Sequence, residues 1–68
     1  MRPTQRDLGR RLKALRKARG LSRAQLAHAA RISREYVRRL EAGEYDPTVG
    51  MVQKLAKALG VSLLKLLR

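Results

Sequence analysis

Apolar positions recur every three or four residues along most of this chain, and short polar breaks divide them into five runs. Leu8, Leu12 and Leu15 make the first stripe, and Thr4 with Asp7 three residues on is a capping box that starts it. This predicts a helix over residues 4–19, ended by Gly20 in the left-handed conformation, with Leu21 plugging into the core. Ser22-Arg23-Ala24-Gln25 is a second capping box, and the short helix it opens turns Leu26, Ala27 and Ala30 inward. Ile32 anchors the link to a third helix over residues 33–42, capped by Ser33 and stopped by Gly43. Val37 and Leu40 face its core side. Arg34, Glu35, Arg38 and Arg39 share an outward face over its first two turns. Thr48 caps a fourth helix whose expected buried stripe is Val49, Val52, Leu55, Ala56 and Leu59, and Gly60 stops it. Gly50 in its first turn costs roughly 1 kcal/mol against alanine if fully helical. Ser62 caps a last helix over residues 63–67. No strand alternation, repeat or linker interrupts the series, so the expected fold is a single all-α domain of five helices over residues 1–68.

Charge adds a partner to this picture. Lys and Arg number 17 against 5 acids, a formal +12 in 68 residues. Such a surplus repels itself in a folded domain, and a polyanion, nucleic acid first, is its simplest explanation. A solubility device or adaptation to heat would not cluster the charge, yet all basic residues except Lys54, Lys57, Lys65 and Arg68 lie between Arg2 and Arg39. Tyr36 and Tyr45 are the only aromatics, too few for a single-strand stacking platform. Without cysteine there is no disulfide and no thiolate zinc site, and His28 stands without ligand partners, so no metal or other cofactor is expected. Met1-Arg2-Pro3-Thr4 leads into no signal-peptide core and no apolar run reaches membrane length, which points to a cytoplasmic protein with no membrane partner.

The stretch SRAQLAHAARISREYVRRLEAG, Ser22 to Gly43, reads as helix, tight link, helix. With LGRRLKALRKARGLS (residues 8–22), QLA (25–27), ISREYVRRLEAGEYDPT (32–48) and KLAKALGVSLLKLL (54–67), the chain resembles the phage-repressor/Cro-like (XRE) family of helix-turn-helix DNA-binding proteins. The resemblance implies a lambda-repressor-like domain whose helices 2 and 3 form the helix-turn-helix. It puts the third helix in the major groove, with Arg34, Glu35 and Arg39 at base-reading positions and Arg38 on a base or a phosphate. Arg23, which opens helix 2, matches the family's phosphate clamp. Ser33 and the loop from Gly43 to Asp46, through its backbone N–H groups, are the further phosphate contacts, with Tyr45 either among them or packed. Arg16 and Glu41 match a pair that ties helix 1 to the end of helix 3.

Three departures stand out. Arg31 occupies the link where glycine is usual, so either it takes a left-handed conformation at about 1–2 kcal/mol or the link is differently shaped. Glu44 and Asp46 put negative charge where phosphates would approach. Gly50 replaces a common acidic residue.

Each candidate has a plainer reading beside it. Arg34 and Arg39 suit guanine O6 and N7, a bidentate contact that discriminates by ~1–3 kcal/mol; otherwise they are a solvated basic face. Glu35 either accepts from a cytosine amine or holds Arg39 as an i, i+4 pair. Arg10, Arg11, Lys13, Lys17 and Arg19 are chiefly a solvated face with a phosphate contact or two. Tyr36 is expected to pack rather than to stack on a base. Leu63, Leu64, Leu66 and Leu67 exceed what one short helix buries, which suggests a homodimer surface, or else they close the core.

The reading that absorbs most of this is a sequence-specific double-stranded DNA-binding regulator, a repressor on a palindrome bound as a homodimer. Its recognition helices would sit about 34 Å apart. No effector domain fits this length and no small-molecule ligand is expected. One rival is a protein-interaction module on the same fold, an antitoxin or bridging factor whose main contact is a partner protein. Another is a nonspecific nucleic-acid or membrane binder, for which five short capped helices are the wrong shape. Catalysis has no nucleophile set, phosphate loop or paired carboxylates to rest on, so an enzyme is not expected.

Overall fold

The computed structural model describes residues 4–67; Met1-Arg2-Pro3, on which the leader reading rests, and Arg68 lie outside the described residues. Five helices follow in order: α1 Gln5–Ala18, α2 Arg23–Ala30, α3 Arg34–Glu41, α4 Val49–Leu59 and α5 Leu63–Leu67. None of them is long and apolar enough to cross a membrane.

Local chemistry sets the boundaries. Thr4, Ser22, Ser33 and Thr48 each accept a hydrogen bond from the N–H three residues on, and Asp7 and Gln25 return the bond to complete two capping boxes. The first four helices end alike. In each, one turn N–H reaches back five residues, from Leu21 to Arg16 O, Ile32 to Ala27 O, Glu44 to Arg39 O and Val61 to Ala56 O, all at 2.9–3.1 Å. A second bond nested inside closes a Schellman turn, which needs one left-handed residue. Gly20, Gly43 and Gly60 fill that place in three turns. In the helix-turn-helix link Arg31 fills it, at φ 58° and ψ 46°. The link therefore keeps the usual shape, and Arg31 carries the strain of it.

The core comprises Leu12, Leu26, Ala27, Ala30, Val37, Leu40, Val52, Leu55, Ala56, Leu59 and Leu66. Helix α3 packs on α1 and α2, α4 on α2, and α5 closes the domain against α4 and α1. Two expectations fail here. Val49 is 67% exposed, because the first turn of α4 projects past the end of the core. Leu66 is fully buried, so it seals the domain and is closed to any partner surface. Leu64, 65% exposed, is the leucine of α5 that faces out, while Leu63 and Leu67 are half-buried.

Two features of α1 carry no sequence signal. A β-carbon at Gly9 would stand 2.5 Å from Leu40 O and 2.7 Å from Glu41 O, so only glycine lets α1 lie this close to the end of α3. Arg11 and Arg19, expected on the solvated face, donate to Leu66 O at 3.3 Å and Gly60 O at 3.1 Å. They tie the carboxyl-terminal helices to α1.

Candidate nucleic-acid interface

Helices α2 and α3 place their amino-terminal turns side by side. Between them lies an open cleft of about 490 Å³, lined by Arg16, Ser22, Arg23, Ala24, Arg34, Glu35 and Arg38. Its charge comes from the start of α2 and the outward face of α3, while Val37 and Leu40 hold α3 to the core from behind.

Glu41 anchors this arrangement. Its carboxylate is 2% exposed and accepts from Arg16 Nε at 2.5 Å and Nη2 at 3.2 Å. Arg16 Nη1 donates to Leu21 O at 2.8 Å, so this buried cation uses all three of its nitrogens. The pair implied by the resemblance is present. Sequence reasoning missed a third member: Arg23 Nε also donates to Glu41 Oε1, at 3.0 Å. The two residues are separated by most of α2 and α3, and only the fold joins them. Arg23 stays 40% exposed at its side chain, so its outer nitrogens remain at the cleft while Glu41 fixes the guanidinium plane.

On α3, Arg34 is exposed and has no ion pair among the described residues. Glu35 braces its neighbours. It accepts from Arg38 Nε at 3.0 Å and Nη2 at 2.8 Å, and from Arg39 Nε at 3.0 Å. The hydrogen bonds from Arg38, helped by the Arg38 and Arg39 charges and the Arg39 bond, hold its carboxyl at about 2 against a usual 4.5. The same bonds raise Arg38. Of the two roles open to Glu35, the arginine brace is the one present in this structure.

Arg39 is held further by Glu44, Nη1 to Oε1 at 3.2 Å, and lies 5.8 Å from the centre of the Tyr45 ring. That ring packs on Tyr36 at 5.1 Å between centroids, so both tyrosines pack. Tyr45 is nonetheless 38% exposed.

The expected phosphate contacts are altered. Ser33 Oγ accepts from Tyr36 N at 3.0 Å, which leaves its hydroxyl proton to donate. Gly43 N–H donates to Leu40 O at 3.1 Å and Glu44 N–H to Arg39 O at 3.0 Å, so both are engaged in the turn and neither is offered to a phosphate. The Gly43 N–H expected at a phosphate is thus engaged within the turn in this structure.

Residues 12–66 match the HTH_3 helix-turn-helix family. The immunity repressor protein of Bacillus phage phi105 is 39% identical over 56 residues, 82% of this chain and 39% of that protein. This chain thus spans about two fifths of that relative's length. Among solved structures, the restriction-modification controller protein C.AhdI from Aeromonas hydrophila is similar at a TM-score of 0.89 and 35% identity, covering 91% of this chain and 94% of that one. The clp gene regulator ClgR from C. glutamicum is similar at 0.88 and 29% identity, over 91% and 80% of the two chains. The fold, the cleft and these relatives converge: the chain belongs to the phage-repressor/Cro-like helix-turn-helix family of DNA-binding regulators.

Proposed function

We propose that this protein is a transcriptional repressor that binds a palindromic operator as a homodimer, with α3 in the major groove. The observation that carries the reading is the open cleft where Arg23, Arg34 and Arg38 meet on the face of α3 opposite the core. Arg34 reads a guanine edge as a fork, and Arg38 and Arg39 reach neighbouring bases from the Glu35 brace. Arg23 and the Ser33 hydroxyl hold the backbone phosphates that fix register, and Tyr45 stands at the edge of the same surface. Relatives named as an immunity repressor and a restriction-modification controller favour control of transcription over catalysis.

The dimer contact centres on Leu64, with Leu63 and Leu67 at its rim. A partner protein on this surface is the second reading, favoured by the exposure of Leu64 at 65%.

Selection of bound sites from a randomised duplex pool at physiological salt tests the proposal. The expected result is an enriched palindrome with half-sites about 10 base pairs apart. Retention of DNA with no enriched motif overturns the sequence-specific reading.

A further inference from the structure

The carboxylates on the DNA-facing side call for an explanation, since they repel phosphate. Helix ends point to one. In α1, α2 and α4 the residue that closes the Schellman turn is apolar (Leu21, Ile32 and Val61) and packs against the core. In α3 that place belongs to Glu44, which donates its N–H to Arg39 O and accepts from Arg39 Nη1. The turn that ends the recognition helix therefore also aims an acid at one of its arginines.

Glu35 completes a network with Arg38, Arg39 and Glu44. Two guanidinium groups face two carboxylates, so this part of the helix is formally neutral. Tyr45, backed by Tyr36, lies beside Arg39 and limits its movement. Arg38 Nη1 and Arg39 Nη2 remain uncommitted among the described residues. Within the cleft, the positive charge that this network does not offset belongs to Arg34 and to Arg23, which shares the buried Glu41 with Arg16.

The geometry points to Glu35 and Glu44 as specificity-determining residues that withhold Arg38 and Arg39 from backbone phosphate and present them to base edges. This rests on the DNA-binding reading above. A phosphate that accepts from the uncommitted amino group of either arginine must sit beside a carboxylate of its own sign, and one that takes the whole guanidinium must displace that carboxylate. The neutral O6 and N7 of guanine can accept from the uncommitted amino groups while the carboxylates stay in place. The network lowers affinity for DNA in general and leaves affinity for the right sequence largely intact, which is discrimination by penalising the wrong partner.

The test compares unaltered protein with Glu35→Gln, Glu44→Gln and Asp46→Asn, on a random duplex and on the selected site, across a salt series. Asp46→Asn removes the same charge from the same loop, and Asp46 makes no ion pair among the described residues. Freed arginines should tighten random-duplex binding by about tenfold at low salt and steepen the log–log salt dependence by about 0.9 per added phosphate contact. Site affinity should change less, so the ratio of specific to random binding falls. Asp46→Asn should alter that ratio by less than about threefold, the effect of one distant charge. Equal effects of Asp46→Asn and Glu44→Gln would reduce the network to net charge and overturn the inference. So would parallel losses on both duplexes with an unchanged salt slope, the mark of a purely structural brace. If the unaltered protein binds neither duplex, the DNA-binding reading itself fails, and the inference with it.

Discussion

Gly9 and Leu40 set the distance between α1 and α3: a β-carbon on Gly9 would lie 2.5 Å from the Leu40 carbonyl oxygen. The opposing atom is backbone, so no rotamer change relieves the clash. Gly9→Ala is expected to lower stability by ~1–3 kcal/mol, the range for overpacking, despite the better helix propensity of alanine. Gly50→Ala is the opposite case, since its β-carbon would meet only Thr48 Oγ1 at 3.8 Å. It should raise stability by ~0.4–1 kcal/mol. Urea midpoints of the two variants would show shifts of opposite sign.

The Glu41 carboxylate is buried between Arg16 and Arg23, whereas Glu44 is 44% exposed. Removing Glu41 leaves a buried Arg16 unpaired and should cost ~3–5 kcal/mol, while an exposed pair contributes ~0–1 kcal/mol. Thermal melts should place Glu41→Ala well below Glu44→Ala. Equal melting temperatures would contradict the buried anchor.

Arg31 holds a left-handed conformation at φ 58°. Glycine there relieves roughly 1–2 kcal/mol of strain and gives back about 0.5–1 kcal/mol through the entropy of the unfolded chain. Arg31→Gly should therefore be mildly stabilising in urea unfolding, and Arg31→Val clearly destabilising.

Arg34 and Lys13 are both cations, on α3 and α1 respectively. If Arg34 reads a base, Arg34→Ala should cost ~1–3 kcal/mol on the selected site and relax its preference at one position. Lys13→Ala should leave the preference intact. Titration of operator variants with each protein separates the two.

Protonation of Glu35 bears on pH dependence. Its folded carboxyl titrates at about 2, below the usual 4.5, chiefly through hydrogen bonds from Arg38. A lowered value means that the stabilisation is fully present above about pH 4.5 and is lost as pH falls from there toward about 2. The difference in melting temperature between unaltered protein and Glu35→Gln should thus be flat from about pH 5 to 8 and shrink below about pH 4.

The helices were legible because their signals are local. A serine or threonine hydroxyl caps a turn three residues away, and the left-handed residue lies one or two steps past the end. The outward face of α3 was legible for the same reason, since helical spacing alone separates Arg34, Glu35 and Arg38 from Val37 and Leu40. What failed depends on where neighbouring elements stop. Val49 has the spacing of a core residue but nothing packs over the first turn of α4. Leu64 and Leu66 could not be told apart in a helix too short to show a phase, yet one is 65% exposed and the other fully buried. The bond from Arg23 to Glu41, the carbonyl contacts of Arg11 and Arg19, and the close approach at Gly9 all join residues far apart in sequence. No local pattern announces them. The engaged N–H of Gly43 follows from the same turn that made Gly43 predictable as a helix stop.

The division of α3 into a buried side and an outward side also makes this domain open to reprogramming. Val37, Leu40 and Glu41 are buried and secure the helix, while Arg34, Glu35 and Arg38 are exposed and stand outside the core. A different trio can be exchanged into those positions without repacking the interior. If these positions read bases as proposed, one backbone serves many operators, with changes of address confined to a few codons at the head of a single helix.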